Sequence, residues 1–191
     1  CGKILEAVAK GESVSIIGVG SSGKSNVARH LTRADARAAS LGADADGMFA
    51  VLVDCMKYVD PTAAALYRLI LQSLAQATQL PDAPPAVAKL NAPFGQLLER
   101  AFDTDQFDRV RYYLEQAIDA MFKGGVTRML FVLDDFDHAL VKAPAQALNS
   151  LRGLRDNHKN RLMYLVVTRK ELAFLRDERE YEDFAEIVTP V

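Results

Sequence analysis

Three short groups of residues in this chain have the types and spacing to handle a phosphorylated ligand. The first is Gly18-Val19-Gly20-Ser21-Ser22-Gly23-Lys24-Ser25, which fits G-x-x-x-x-G-K-[ST]. Glycines at 18, 20 and 23 let the backbone curl around phosphates and turn its N–H groups inward. A helix starting near Gly23 brings its positive end to the same anion. Lys24 then reaches the β- and γ-phosphates and the Ser25 hydroxyl ligates magnesium. Ser21, Ser22 and Asn26 complete the expected nucleotide contacts.

The second group is Met129-Leu130-Phe131-Val132-Leu133 followed at once by Asp134-Asp135. An apolar run capped by acids is a buried strand delivering carboxylates at its end. Asp134 is placed to hold the Mg²⁺ shell and Asp135 to orient or deprotonate the attacking water. The third is Arg161 to Val167, a further buried strand ending in Thr168-Arg169. An arginine there can sense the γ-phosphate or stabilise its charge during transfer. The candidate catalytic set is Lys24, Asp135 and Arg169, and the candidate metal ligands are Ser25 and Asp134.

The surrounding elements must bring these groups to one place. Ile4, Leu5, Val8 and Ala9 have helical spacing that stops at Gly11, and Val14 to Ile17 reads as the strand before the glycine loop. Asn26 to Leu31 reads as the helix after it. Met48 to Val53 is a second buried strand, with Asp54 just past its end as a loop cap. Asp60-Pro61-Thr62 predicts a helix start running to about Gln79, and Leu80 to Pro85 breaks it. A second helical stretch spans 86–102 with an interruption near Asn91-Ala92-Pro93. Asp105 and Asp108 open a third, to about Lys123, which Gly124-Gly125 ends. A helix from Ala145 to Arg155, a charged helix from Glu171 to Arg179 and a last strand at Ala185 to Val188 complete the reading.

Several tempting residues have plainer explanations. Asp44 and Asp46 lack further ligands at calcium-loop spacing. Phe107, Tyr112 and Tyr113 recur at helical spacing and suit packing better than base stacking, and His138 suits a surface or satisfied role. Arg176 and Arg179 fit surface ion pairs better than an arginine finger acting in trans. Cys1 and Cys55 are far apart, form no metal-ligand pattern and read as reduced thiols of a cytoplasmic protein. A net charge of -2 gives no general basic face for nucleic acid, so any DNA contact needs a local patch or a segment outside this chain. No apolar run approaches the ~20 residues of a membrane span and no signal peptide is visible. A first residue other than Met suggests a piece of a longer protein.

Taken together, Gly18–Ser25, Leu133-Asp134-Asp135 and Val167-Thr168-Arg169 resemble the ATPase core of STAND proteins, the signal-transduction branch of AAA+-type P-loop NTPases. Typical AAA+ motors resemble it too, with Asp-Glu and Asn in place of this Asp-Asp and Thr-Arg. The resemblance implies a three-layer α/β fold with a central parallel sheet in the order 5-1-4-3-2. It implies one P-loop ATPase core, here over 1–191, from which the chain departs in two ways: the helical insertion at 60–123 between strands 2 and 3 matches no motif of the family, and the lid or winged-helix domain is absent. It also implies ATP or ADP with Mg²⁺ as ligands, Arg169 against the γ-phosphate, and slow hydrolysis driving a switch. The ATP state would be a homo-oligomer, and other domains outside this chain would be its partners. A loader-like AAA+ ATPase acting on DNA, as in origin recognition, is the alternative. A small-molecule kinase is a third reading, for which no second substrate pocket or arginine-rich lid is evident.

Overall fold

The computed structural model describes residues 2–18 and 23–190, excepting the side chains of Leu5, Lys24 and Ser25. Five strands form one sheet: β1 (Ser13–Ile17), β2 (Met48–Asp54), β3 (Arg128–Asp134), β4 (Leu162–Thr168) and β5 (Val188–Pro190). Their spatial order is β2-β3-β4-β1-β5 and every pairing is parallel, the order expected from the sequence read from the other edge. Helix α1 (Gly2–Ala9) precedes β1; parallel strands need crossovers, and helices supply them: α2 (Lys24–Thr32), α3 (Ala34–Leu41), α4 (Ala63–Ala77), α5 (Pro85–Ala88), α6 (Asn91–Phe102), α7 (Phe107–Lys123), α8 (Phe136–Lys142), α9 (Ala145–Asn157) and α10 (Glu182–Ala185). Helices α4 to α7 are the insertion between β2 and β3.

Side-chain alternation splits the core into two layers. Phe49, Val51, Val53, Met129, Phe131, Leu133, Leu162, Tyr164 and Val166 face one cluster with α4, α7 and α9. The intervening Met48, Ala50, Leu130, Val132, Met163, Leu165 and Val167 face the other, with Ala28 and Leu31 of α2 and Val8 of α1. Three strands with both sides buried give continuous apolar runs, which is why they are visible in the sequence.

The structure corrects several boundaries. Helix α4 begins at Ala63, because the Thr62 hydroxyl accepts the Ala65 amide at 3.2 Å and caps it; Pro61 lies outside. The break between α5 and α6 falls at Lys89-Leu90. Pro93 is the third residue of α6, a first-turn position whose N–H has no intrahelical partner to lose. Asp105 does not open α7, whose N-cap is Gln106; its carboxylate pairs with the Arg68 guanidinium instead. Glu171 to Arg179 is not a helix but two 3-10 turns, Leu172–Phe174 and Glu178–Glu180. Arg176 is tied to the carbonyl oxygens of Leu140 and Ala143, and the Asp177 carboxylate accepts the Arg179 amide, so local side-chain bonds replace a helical ladder. The last strand lies three residues later than expected, since Ala185 ends α10.

Candidate nucleotide site

The strand register sets the geometry. Ile17 is opposite Thr168, Leu133 opposite Val166, and Asp54 opposite Asp134, so four strand ends align along one rim of the sheet. The Gly18 amide donates to the Thr168 carbonyl at 3.2 Å, which fixes the start of the glycine loop against the end of β4. With strands about 4.8 Å apart, Gly18 and Asp134 flank β4 at roughly 10 Å, the scale of a metal-chelated polyphosphate. The carboxyl-end rim of an open parallel sheet is where ligands bind.

After the gap from Val19 to Ser22, which lies outside the described residues, Gly23 is at φ 80°, directly before α2. A Cβ there would meet nothing within 4 Å, so glycine is required by the left-handed backbone and not by crowding. Among the described residues no side chain caps the start of α2, and its first turn contains no acid. That leaves amides and the positive helix end for an outside anion. The expected Gly20, Ser21 and Ser22 contacts and the side-chain roles of Lys24 and Ser25 fall outside the description, although the backbone puts Lys24 and Ser25 in the first turn of α2. Asn26, exposed, follows on the same turn.

On the other side of β4, Asp134 is buried, with 6% of its surface exposed. Its Oδ1 accepts the Asp135 amide at 3.2 Å. Asp135 adopts φ 49°, ψ 43°, a left-handed conformation that Asp and Asn tolerate better than other side chains, and the chain then turns into α8. Its Oδ1 lies 3.4 Å from the Arg169 Nη2, and the Arg169 amide donates to Asp137. The Arg169 side chain is 61% exposed. The two acids therefore differ: Asp134 is enclosed at the strand end, while Asp135 is partly open and shares a cation.

Between Gly18 and Asp134 lies Thr168, 1% exposed, whose Oγ1 has no hydrogen-bond partner among the described residues. A buried hydroxyl without a partner is unfavourable by about 1–3 kcal/mol, and a ligand or water reaching this rim can satisfy it. Its position, with the uncapped α2 and enclosed Asp134, fits a phosphate and its divalent cation. Among the described residues no three His, Cys, Asp or Glu side chains are arranged to hold a metal alone. Beneath the rim, burial pushes the Cys55 thiol well above its ordinary value, with the carboxylates of Asp54, Asp134, Asp135 and Asp137 adding to it, so it is no thiolate nucleophile.

The remaining singled-out residues fall as follows. Asp54 accepts the Met56 amide at 3.1 Å and is a loop cap. The His138 Nε2 sits 3.1 Å from the Tyr58 carbonyl, a satisfied role. Arg176 is bonded to two carbonyls and to Glu180, and Arg179 to Asp177 at 2.7 Å. Phe107 packs edge-on against Tyr67 at 5.0 Å and Tyr113 lies against the core, whereas Tyr112 is exposed. Arg37 is buried as well, and no periodicity or motif in the sequence marks it.

A parallel sheet of this order, with the strand before the glycine loop inside it and helices on both faces, is the P-loop NTPase architecture. Residues 3–167 match the AAA ATPase domain, and the chain belongs to that family. Among solved structures it is similar to the ORC1 protein of Aeropyrum pernix in complex with DNA, with a TM-score of 0.57, 18% identity and coverage of 98% of this chain and 43% of that one. The ORC2 protein of Aeropyrum pernix, in its ADP form, gives 0.59 at 16% identity, over 100% and 45% of the two chains. Cdc6p from Pyrobaculum aerophilum gives 0.53 at 15% identity, over 93% and 38%. At such identities the likeness is one of fold, and this chain spans less than half of each. No curated protein matches it in sequence. Among the described residues no helix is long and apolar enough to cross a membrane.

Proposed function

We propose that this chain is the ATP-binding and ATP-hydrolysing module of a larger protein, and that the larger protein acts on DNA in the manner of an origin-recognition or loader-type ATPase. The observation that carries the ATPase reading is the alignment of Gly18, Thr168 and Asp134 on adjacent strand ends beside an uncapped α2. Lys24, Ser25 and the loop amides would bind the phosphates, and Ser25 and Asp134 would hold the magnesium ion. The cation, when bound, neutralises charge on the phosphates. Asp135 orients the attacking water and accepts its proton, and Arg169 shifts from Asp135 toward the γ-phosphate. Oligomerisation in the ATP state belongs to the same reading.

The setting is supported by the three similar structures, which are ORC and Cdc6 proteins, one of them with DNA. The Asp134-Asp135 and Thr168-Arg169 pairs favour a second reading, a STAND-type signalling switch. With a net charge of -2, DNA binding in the first reading needs a local patch or other domains. Affinity of the full-length protein for duplex DNA, measured by fluorescence anisotropy across salt concentrations, separates them. A Kd that weakens steeply with salt supports the DNA reading, and no binding at low salt supports the switch.

The chemistry is tested by Asp135→Asn, because Asn tolerates the left-handed backbone and keeps the turn into α8. Phosphate release falls about 100-fold or more while ATP affinity stays within a few-fold of wild type. Unchanged turnover would remove Asp135 from the reaction.

A further inference from the structure

The rim of the sheet opposite the phosphate site holds a second feature, independent of the ATPase reading. A cavity of about 260 Å³ lies where the α2–α3 junction and the start of β2 meet the connector after α4, with Ala38, Met48, Phe49, Leu80 and Val87 among its walls. Arg37 also lines it and is only 6% exposed. We propose that this cavity binds a small carboxylate with an apolar body, its head taken by the unspent edge of the Arg37 guanidinium.

A guanidinium has five N–H donors, and three of those of Arg37 are spent on main-chain oxygens. Nη1 donates to the Leu31 carbonyl at 3.0 Å and the Thr32 carbonyl at 2.6 Å, and Nη2 to the Met48 carbonyl at 3.3 Å. These bonds tie the end of α2 to the start of β2. The Nε–H and the second Nη2 hydrogen donate to none of the described residues, and no carboxylate lies within ion-pair distance. Carbonyls satisfy N–H groups but supply no full counter-charge, and the nearest carboxylates, Asp82 and Asp35, act on the guanidinium only from beyond ion-pair distance. Burial draws the guanidinium below its usual pKa, against the opposing pull of Asp82 and Asp35. Asp46 and Asp82, the acids on the same walls, are exposed to solvent and form no pair with it.

The Nε/Nη2 side of an arginine is the fork that takes a carboxylate in two parallel bonds. The walls are mostly apolar, and a 150 Å³ apolar cavity takes benzene, so one of about 260 Å³ has room for roughly a two-ring body. A ligand there touches the far end of the helix whose first turn contains Lys24.

The probes are 2-naphthoate and 2-methylnaphthalene, which share a body and differ in the head. Calorimetric titration of the 191-residue chain is expected to show saturable one-to-one binding of 2-naphthoate, at least tenfold tighter than 2-methylnaphthalene. The Arg37 Nε–H resonance is expected to shift on binding. Ala38→Phe, at the exposed lip of the cavity, obstructs its mouth without touching the three carbonyl bonds and is expected to weaken 2-naphthoate at least tenfold. Absence of saturable binding, equal affinity for the two probes, an unmoved Nε–H resonance, or undiminished binding by a folded Ala38→Phe variant would each overturn the proposal.

Discussion

The two faces of the sheet are built differently. On the insertion side, Phe131 stacks near Tyr164 at 6.4 Å, Tyr164 meets Phe184 at 5.8 Å and Phe184 meets Phe136 at 5.5 Å, all fully buried. Two ring hydroxyls are anchored as well: Tyr164 donates to the Leu151 carbonyl at 2.9 Å and Tyr67 to the Ala147 carbonyl at 3.4 Å. On the other face the buried cluster has no aromatic residue among the described residues, and α2 rests on it chiefly through Ala28 and Leu31. The interlocked face fixes the strands and so the relative heights of Asp134, Thr168 and Gly18. The aliphatic face bears the helix of the phosphate loop, whose far end Arg37 ties to β2 through the Leu31, Thr32 and Met48 carbonyls. Large aromatic side chains set the frame, and small ones border the site.

That contrast can be broken by truncating one residue on each side. Phe131→Ala is expected to lower unfolding free energy by about 3–5 kcal/mol, and Leu31→Ala by about 2–3 kcal/mol, at the low end because α2 can settle into the space. Urea unfolding measures both, and a larger loss at Leu31 would reverse the assignment of the rigid face. Leu31→Ala is also expected to weaken ATP several-fold, which Phe131→Ala, if folded, does not. Thr168→Val keeps the shape and removes the unpartnered hydroxyl. It is expected to raise the melting temperature without nucleotide, by about 1 kcal/mol in stability, while weakening ATP. A melting temperature that falls would mean the hydroxyl is satisfied without ligand.

The smallest effect lies at the edge of the rigid face. Burial lowers the pKa of His158, partly offset by Asp119 at 3.5 Å, with the Phe122 ring 5.0 Å away. Its folded value is below the ordinary 6.5, so the unfolded chain binds more protons and stability rises with pH. This contribution is complete above about pH 6.5 and is lost as pH falls below it. Melting at pH 7 and pH 5 is expected to show a smaller drop for His158→Gln than for wild type. An identical drop would mean that His158 titrates normally.

Much of this was legible in the sequence, for a physical reason. Strands buried on both sides must be apolar throughout, so β2, β3 and β4 stand out as runs, and the acids after Leu133 and the polar pair after Val167 mark their ends. The glycine pattern placed α2 and identified the rim. Less legible was anything decided by one side chain reaching a distant backbone. Glu171 to Arg179 has helix-forming residues, but Arg176 bonds carbonyls 33 and 36 residues earlier in the chain and Asp177 turns the backbone. Asp105 looks like a cap until Arg68, 37 residues away, takes its carboxylate. Arg37 is the same case: no pattern marks an arginine whose three partners are main-chain oxygens.

The central claim is that the glycine loop, the end of β3 and the end of β4 converge on a metal-chelated triphosphate. Titration calorimetry of Mg·ATP into the wild-type chain and Lys24→Ala tests it most directly. The account predicts one saturable site in the wild type and a loss of at least 100-fold in the variant, with far-UV circular dichroism unchanged. Equal affinity in the two proteins, or no Mg·ATP binding by the folded wild-type chain, would contradict it.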